Sequence, residues 1–232
     1  MQGLSGKRVI VTGGGKGIGK AIADRFLSEG SHVLVIDKDK SLLGKQGHNY
    51  NELHVDITDM VEVQQMLSGI RCDILINNAA ITTGDRHDDI TLLNYTATRH
   101  ITEEVLVGMR ARKRGNIVFI TSVHTAIAMK GNAAYRGSKC ALIGYMGVRA
   151  IEEAPNGIRL NAVSPGAIQD AGTNRDKRII TKNNRYIPML RHGLPSEIAA
   201  AVAFVASDDA SYMTGHELRI DGGLSIQSPF QD

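Results

Sequence analysis

RVIVTGGGKGIGKAIADRF, residues 8 to 26, contains the turn on which the fold depends. Arg8 to Thr12 is a short apolar run of strand type, and Ile18, Ile22 and Phe26 then recur at the spacing of one helical face. Between them Gly13, Gly17 and Gly19 stand where the chain turns sharply out of the strand and enters the helix. Such a turn offers free backbone N–H groups and the positive end of a helix dipole to an anion, and glycine lets the backbone approach a pyrophosphate closely. Asp37 closes a second apolar run 18 residues beyond Gly19, where an acid can bind ribose hydroxyls.

Further apolar runs follow at HVLVI (32 to 36), ELHV (52 to 55), DILI (73 to 76), NIVFI (116 to 120), IRLNAV (158 to 163) and ELRI (217 to 220), making seven with the first. Helical spacing fills most of the gaps, as in Val61, Val63, Met66 and Leu67, or Ile198, Val202 and Val205. Alternating strand and helix predict an α/β fold: a Rossmann-like, doubly wound sheet of about seven parallel strands with helices on both faces and right-handed crossovers. No repeat, low-complexity tract or linker interrupts the chain, so residues 1–232 are expected to form one domain.

The composition excludes several classes of function. Lys plus Arg number 27 against 24 Asp plus Glu, a net charge of only +3, which implies no nucleic-acid partner. The basic cluster of Arg110, Arg112, Lys113 and Arg114 falls where a predicted helix ends, and cations there complement the helix dipole. Cys72 and Cys140 belong to no C-x-x-C pattern and the eight histidines do not cluster, so neither a disulfide framework nor a metal site is expected. No signal-peptide core and no apolar run of membrane-spanning length is present; the expected location is cytoplasmic.

AAYRGSKCALIGYMGVRA, residues 133 to 150, is a helix candidate in which Tyr135 and Lys139, four apart, share one face. An unperturbed phenol titrates near pH ~10, and a neighbouring ammonium favours the phenolate, the form a tyrosine needs to act as a base. With the glycine pattern Thr-Gly-x-x-x-Gly-x-Gly, this pair makes the sequence resemble the short-chain dehydrogenase/reductase family from about Leu4 to about Ser225. Asp56 after the third strand, Asn77-Asn78-Ala79 after the fourth and Pro165-Gly166 after the sixth extend the resemblance. All lie at carboxyl ends of strands, where an open α/β sheet binds its ligands.

The resemblance implies a nicotinamide cofactor held by Gly13, Lys16, Gly17, Ile18 and Gly19 of the turn, and by Asp37 after the second strand. It further implies Asp56 and Ile57, Asn78 and Ala79, Pro165, Gly166 and Ile168, together with Tyr135 and Lys139. Ser122, 13 residues before Tyr135, and Asn94, 28 before Ser122, match the family spacing. Carried over, Ser122 hydrogen-bonds the substrate oxygen, Tyr135 exchanges its proton, Lys139 binds the ribose and tunes Tyr135, and Asn94 holds a proton-relay water. The implied reaction is hydride transfer between the cofactor and a secondary alcohol, sugar, polyol or ketone, and the implied assembly a homotetramer. Asp37 points to NAD rather than NADP, although Lys16 and Lys38 could soften the discrimination. The alternatives are a non-catalytic NAD(P)-sensing module of the same fold and a nucleotide-sugar epimerase or dehydratase, for which the chain is short.

Departures from the family pattern are few. Ala80 replaces a usual glycine, and Asp170 stands where a cofactor-reaching threonine is common. The stretches from Asp39 to Asp56 and from Asn78 to Asn94 are short, which predicts a trimmed helix and a trimmed loop. Residues 171 to 190 occupy the place of the substrate lid, and His124 follows Ser122 closely enough to face a substrate.

Overall fold

A computed structural model describes residues 1–44, 46–82, 87–169 and 184–227. The strands are β1 (Arg8–Thr12), β2 (His32–Asp37), β3 (Tyr50–His54), β4 (Ile74–Asn77), β5 (Gly115–Ile120), β6 (Ile158–Pro165) and β7 (Glu217–Ile220). They form one sheet in the order β3-β2-β1-β4-β5-β6-β7, every neighbouring pair parallel. The helices are α1 (Gly17–Ser28), α2 (Met60–Leu67), α3 (His87–Thr91), α4 (Thr98–Arg112), α5 (Ala133–Glu153) and α6 (Pro195–Ala206). Among the described residues between Asp39 and Asp56, a 3₁₀ turn, Lys40–Leu42, is the helical element before β3, in keeping with a trimmed helix.

Alternation along each strand divides the core into two layers. Ile10, Ile36, Leu75, Ile117 and Phe119 pack with Val63, Ile101, Leu106, Leu142 and Met146 of α2, α4 and α5. Val9, Val11, Val33, Val35, Ile74, Ile76 and Val118 pack with Ile22 and Phe26 of α1 and with Ile198 and Val202 of α6. Of the residues that carry the helical spacing of α2, Val61 is exposed while Val63 is buried, because residues two apart on a helix do not share a face.

The basic cluster is used internally. Arg110 pairs with Glu153, Arg112 donates to the Cys72 carbonyl at 2.6 Å, Arg114 lies 3.9 Å from Asp73, and Lys113 is the left-handed cap of α4. Among the described residues no helix is long and apolar enough to cross a membrane.

Candidate active site

The ends of β1 and β4 are laced together above the sheet. Thr12 Oγ1 accepts the N–H groups of Asn78 and Ala79 at 3.0 and 3.1 Å, while Asn78 Nδ2 donates to the carbonyls of Thr12 and Gly13 at 3.0 and 2.9 Å. Gly13 has φ +64°, and a Cβ there would come within 2.8 Å of the Ala79 backbone. At Gly19 a Cβ would meet the Gly13 carbonyl at 2.1 Å, so the turn closes only without side chains at these two positions. Lys16 precedes α1 and makes no side-chain cap, leaving the first helical N–H groups to whatever occupies the cleft. Ala80, by contrast, is not among the residues with positive φ, so its Cβ is accommodated without strain.

A cleft of about 540 Å³ runs along the carboxyl ends of the strands. Its walls bring together Gly13, Lys16, Gly17, Ile18 and Gly19, then Asp37, Asp56, Ile57, Asn78 and Ala79, and at the far end Ser122, Tyr135, Lys139, Pro165, Gly166 and Ile168. Lys38, Leu42, Ile81, Leu93, Thr121 and Gln169, which motif reading had not assigned to a ligand, line it as well. Asp170 and residues 171–183 lie outside the described residues.

Asp37 is fixed from two sides, since Oδ2 accepts the Gly15 N–H at 3.0 Å and Oδ1 the Asp39 N–H at 3.1 Å. The carboxylate therefore cannot swing out of the cleft without losing two backbone partners. Both nearby lysines have acidic neighbours: Lys38 lies 4.0 Å from Asp56, and the charge of Lys16 helps hold the Asp39 carboxyl below its usual range after the hydrogen bonds from Ser41.

At the catalytic end, Ser122 caps the 3₁₀ turn Val123–Thr125. Tyr135 is buried, and burial raises its pKa while the Ser122 hydroxyl pulls the other way. Lys139 is also buried; its ammonium donates to the Ile120 carbonyl at 2.8 Å, lies 5.7 Å from the centre of the Tyr135 ring, and is brought down to about 8 by burial. For Tyr135 burial is the larger influence, and the Ser122 hydroxyl is what opposes it, so the phenol's pKa lies above its ordinary value. His124 sets its ring edge-on to Tyr135, centres 6.2 Å apart, with Nδ1 buried and unpartnered.

Asn94 sits behind the cleft on a single π turn, Leu92–Ala97, that joins α3 to α4. Completely buried, it pairs with the Ile81 backbone, Oδ1 accepting the N–H and Nδ2 donating to the carbonyl, both at 2.9 Å. Nδ2 also reaches Ser138 Oγ at 3.1 Å, and Ser138 in turn donates to the Tyr135 carbonyl at 2.8 Å. Ser138 and Thr12 thus join the structural support of the site. Sequence reasoning used Thr12 only as the first position of the glycine pattern and passed over Ser138, because a hydroxyl that bonds backbone leaves no spacing signature of that role.

A glycine turn laced to β4, an acid fixed at the end of β2 and a Ser, Tyr, Lys set at the ends of β5 and α5 define a dinucleotide-binding oxidoreductase fold. The chain belongs to the short-chain dehydrogenase/reductase family. Residues 13–225 match a family model described as Enoyl-(Acyl carrier protein) reductase. The chain is 34% identical over 243 residues to the 3-oxoacyl-[acyl-carrier-protein] reductase FabG of Salmonella typhimurium, covering 95% of this chain and 98% of that one. It is 31% identical to the oxidoreductase UcpA of Escherichia coli, with 97% of each chain covered. Among solved structures, the ligand-free aldohexose dehydrogenase of Thermoplasma acidophilum superposes with a TM-score of 0.90 at 33% identity, over 99% of this chain and 98% of that one. Members of this family use a nicotinamide cofactor.

Proposed function

We propose that the protein is an NAD-dependent dehydrogenase/reductase that interconverts a secondary hydroxyl and a carbonyl on a sugar, polyol, simple alcohol or ketone. The observation that carries this reading is the cleft itself, with the fixed Asp37 carboxylate near one end and Ser122, Tyr135 and Lys139 at the other. The glycine turn at Gly13 and Gly19, too tight for any Cβ, fits a pyrophosphate, and Asp37 fits the hydroxyls of an adenosine ribose.

NAD is favoured over NADP on charge. A 2′-phosphate would meet a carboxylate held by two backbone N–H groups, while Lys38 and Lys16 each have an acid nearby. When bound, the nicotinamide supplies the hydride exchange. Ser122 Oγ orients the substrate oxygen, and Tyr135 Oη delivers a proton to it in reduction and removes one in oxidation. Lys139 holds the ribose and offers a positive charge to the phenolate, and Asn94 orders the backbone of Ile81 beside the cleft. Burial raises the Tyr135 pKa and so favours the protonated phenol that reduction uses.

The reading extends to a cytoplasmic homotetramer. Both cysteines are free, and Val107 on α4 with Val148 and Ile151 on α5 are apolar side chains left exposed on two helices that the family uses for subunit contacts. The deciding experiment is a panel of secondary alcohols, aldoses, polyols and ketones, including a 3-oxoacyl thioester, followed by absorbance of the reduced cofactor with NAD(H) and NADP(H) in parallel. Turnover with NAD(H) that depends on Tyr135 supports the reading. Cofactor binding with no turnover on any of these classes favours the sensing module.

A further inference from the structure

Glu217 is an acid on the last strand, and its side chain is only 15% exposed. Its Oε1 accepts from Thr125 Oγ1 at 2.6 Å and from Ser164 Oγ, which is itself 2.6 Å from Thr121 Oγ1. The carboxylate of β7 therefore reaches past β6 to the turn that follows β5. That turn carries Ser122: the Thr125 N–H and hydroxyl both point at the Ser122 carbonyl, at 2.9 and 2.8 Å, and Ser122 Oγ accepts the His124 N–H at 3.2 Å.

Proton accounting gives the network a direction. An ionised carboxylate only accepts, so the single proton of Ser164 goes to Glu217, leaving Ser164 Oγ to accept from Thr121. The hydroxyl proton of Thr125 has two acceptors, the Ser122 carbonyl and Glu217, so the carboxylate adds a charge-assisted anchor beneath the backbone N–H bond of the turn. The other carboxylate oxygen faces Arg219, 3.8 Å away. A leucine at this position would take this acceptor from the buried Ser164 hydroxyl and leave the Thr125 hydroxyl with the Ser122 carbonyl.

We propose that Glu217 is a positioning residue: its carboxylate, through Thr125, fixes the turn Val123–Thr125 and with it the hydroxyl of Ser122. The proposal rests on the reading of Ser122 as the group that orients the substrate oxygen. Displacing a reacting group by about 1 Å can cost on the order of a hundredfold in rate, so loss of the anchor is expected to appear in kcat.

The test compares Glu217→Leu, which removes the acceptor, Glu217→Gln, which keeps Oε1, and Thr125→Val, which removes the hydroxyl from both Glu217 and the Ser122 carbonyl without altering β7. Each is measured by turnover on the best panel substrate, by the KM for NAD, and by amide hydrogen exchange of a peptide covering residues 119–127 against one covering α6. Expected for Glu217→Leu and Thr125→Val are a kcat lower by about tenfold to a hundredfold, a KM for NAD within about twofold of wild type, and faster exchange confined to 119–127. Glu217→Gln should stay within about threefold of wild type. Unchanged exchange in the turn, an undiminished kcat, or a Gln variant as impaired as the Leu variant overturns the proposal. Ser122→Ala run alongside separates the two levels: if it keeps full turnover the site reading itself falls, whereas a disabled Ser122→Ala beside an unimpaired Glu217→Leu removes only the anchor.

Discussion

The Lys139 ammonium is tied to the carbonyl of Ile120, the last residue of β5, at 2.8 Å. That bond keeps a buried cation beside the Tyr135 ring, and the burial brings its pKa from 10.5 to about 8. In the unfolded chain the same lysine titrates at its ordinary value. Between about pH 8 and 10.5 the unfolded state thus binds a proton that the native state has released, so native stability rises with pH across this window. Below pH 8 the cost of the buried charge is present in full. Lys139→Met is free of this cost, so the melting temperature of wild type minus that of the variant should increase from pH 7 to pH 10. Thermal melts at the two pH values check it, and a constant difference contradicts the buried-cation account.

Tyr135→Phe removes the proton carrier and leaves the walls of the cleft in place. Turnover should fall by at least about a hundredfold while the affinity for reduced cofactor, read by fluorescence titration, stays within about threefold. A Phe variant with near-normal turnover would falsify the role given to Tyr135.

Charge at Asp37 sets the expected cofactor preference. Asp37→Asn keeps an oxygen for the Gly15 or Asp39 N–H and removes the repulsion, so the ratio of kcat/KM for NAD over NADP should fall by about tenfold or more. Wild-type preference for NADP, or a ratio indifferent to this substitution, defeats the assignment.

Assembly is expected to depend on the exposed apolar side chains of α4 and α5. Val148→Asp combined with Ile151→Asp should reduce the mass seen by light scattering from a tetramer to a smaller species, without lowering the helical content. A monomeric wild type at micromolar concentration removes the premise.

The inner strands were legible because a parallel sheet covered on both faces favours apolar runs, whereas the edge strands β3 and β7 carry charged residues and are only partly buried; each expected run still lies within two residues of the strand observed. The pairing of Tyr135 with Lys139 was legible for a similar reason, since a spacing of four places two side chains together on any helix. Residues whose role is to bond backbone were not. Asn94 was found through family spacing, but its partner is the main chain of Ile81, which has no side-chain signature, and Ser138 between Asn94 and Tyr135 is one small polar residue among many. The electrostatic direction at Tyr135 escaped as well. Spacing reveals a neighbouring charge, whereas the burial that raises the Tyr135 pKa depends on how strands and helices close over the site.

The π turn at Leu92–Ala97 has a consequence for how this chain tolerates changes in length. A π turn fits an extra residue into the helical ladder, so everything before it is rotated by about 100° relative to an uninterrupted α-helix. Removing a single residue from this turn would let α3 run smoothly into α4 and produce a more regular helix. A deletion after Asn94 would carry it around the helix axis relative to α4, away from Ile81 and Ser138, and its carboxamide would lose the bonds it makes to both. Here the irregular winding acts as a phase marker, and a deletion that improves local geometry should cost more than most substitutions on the same helix.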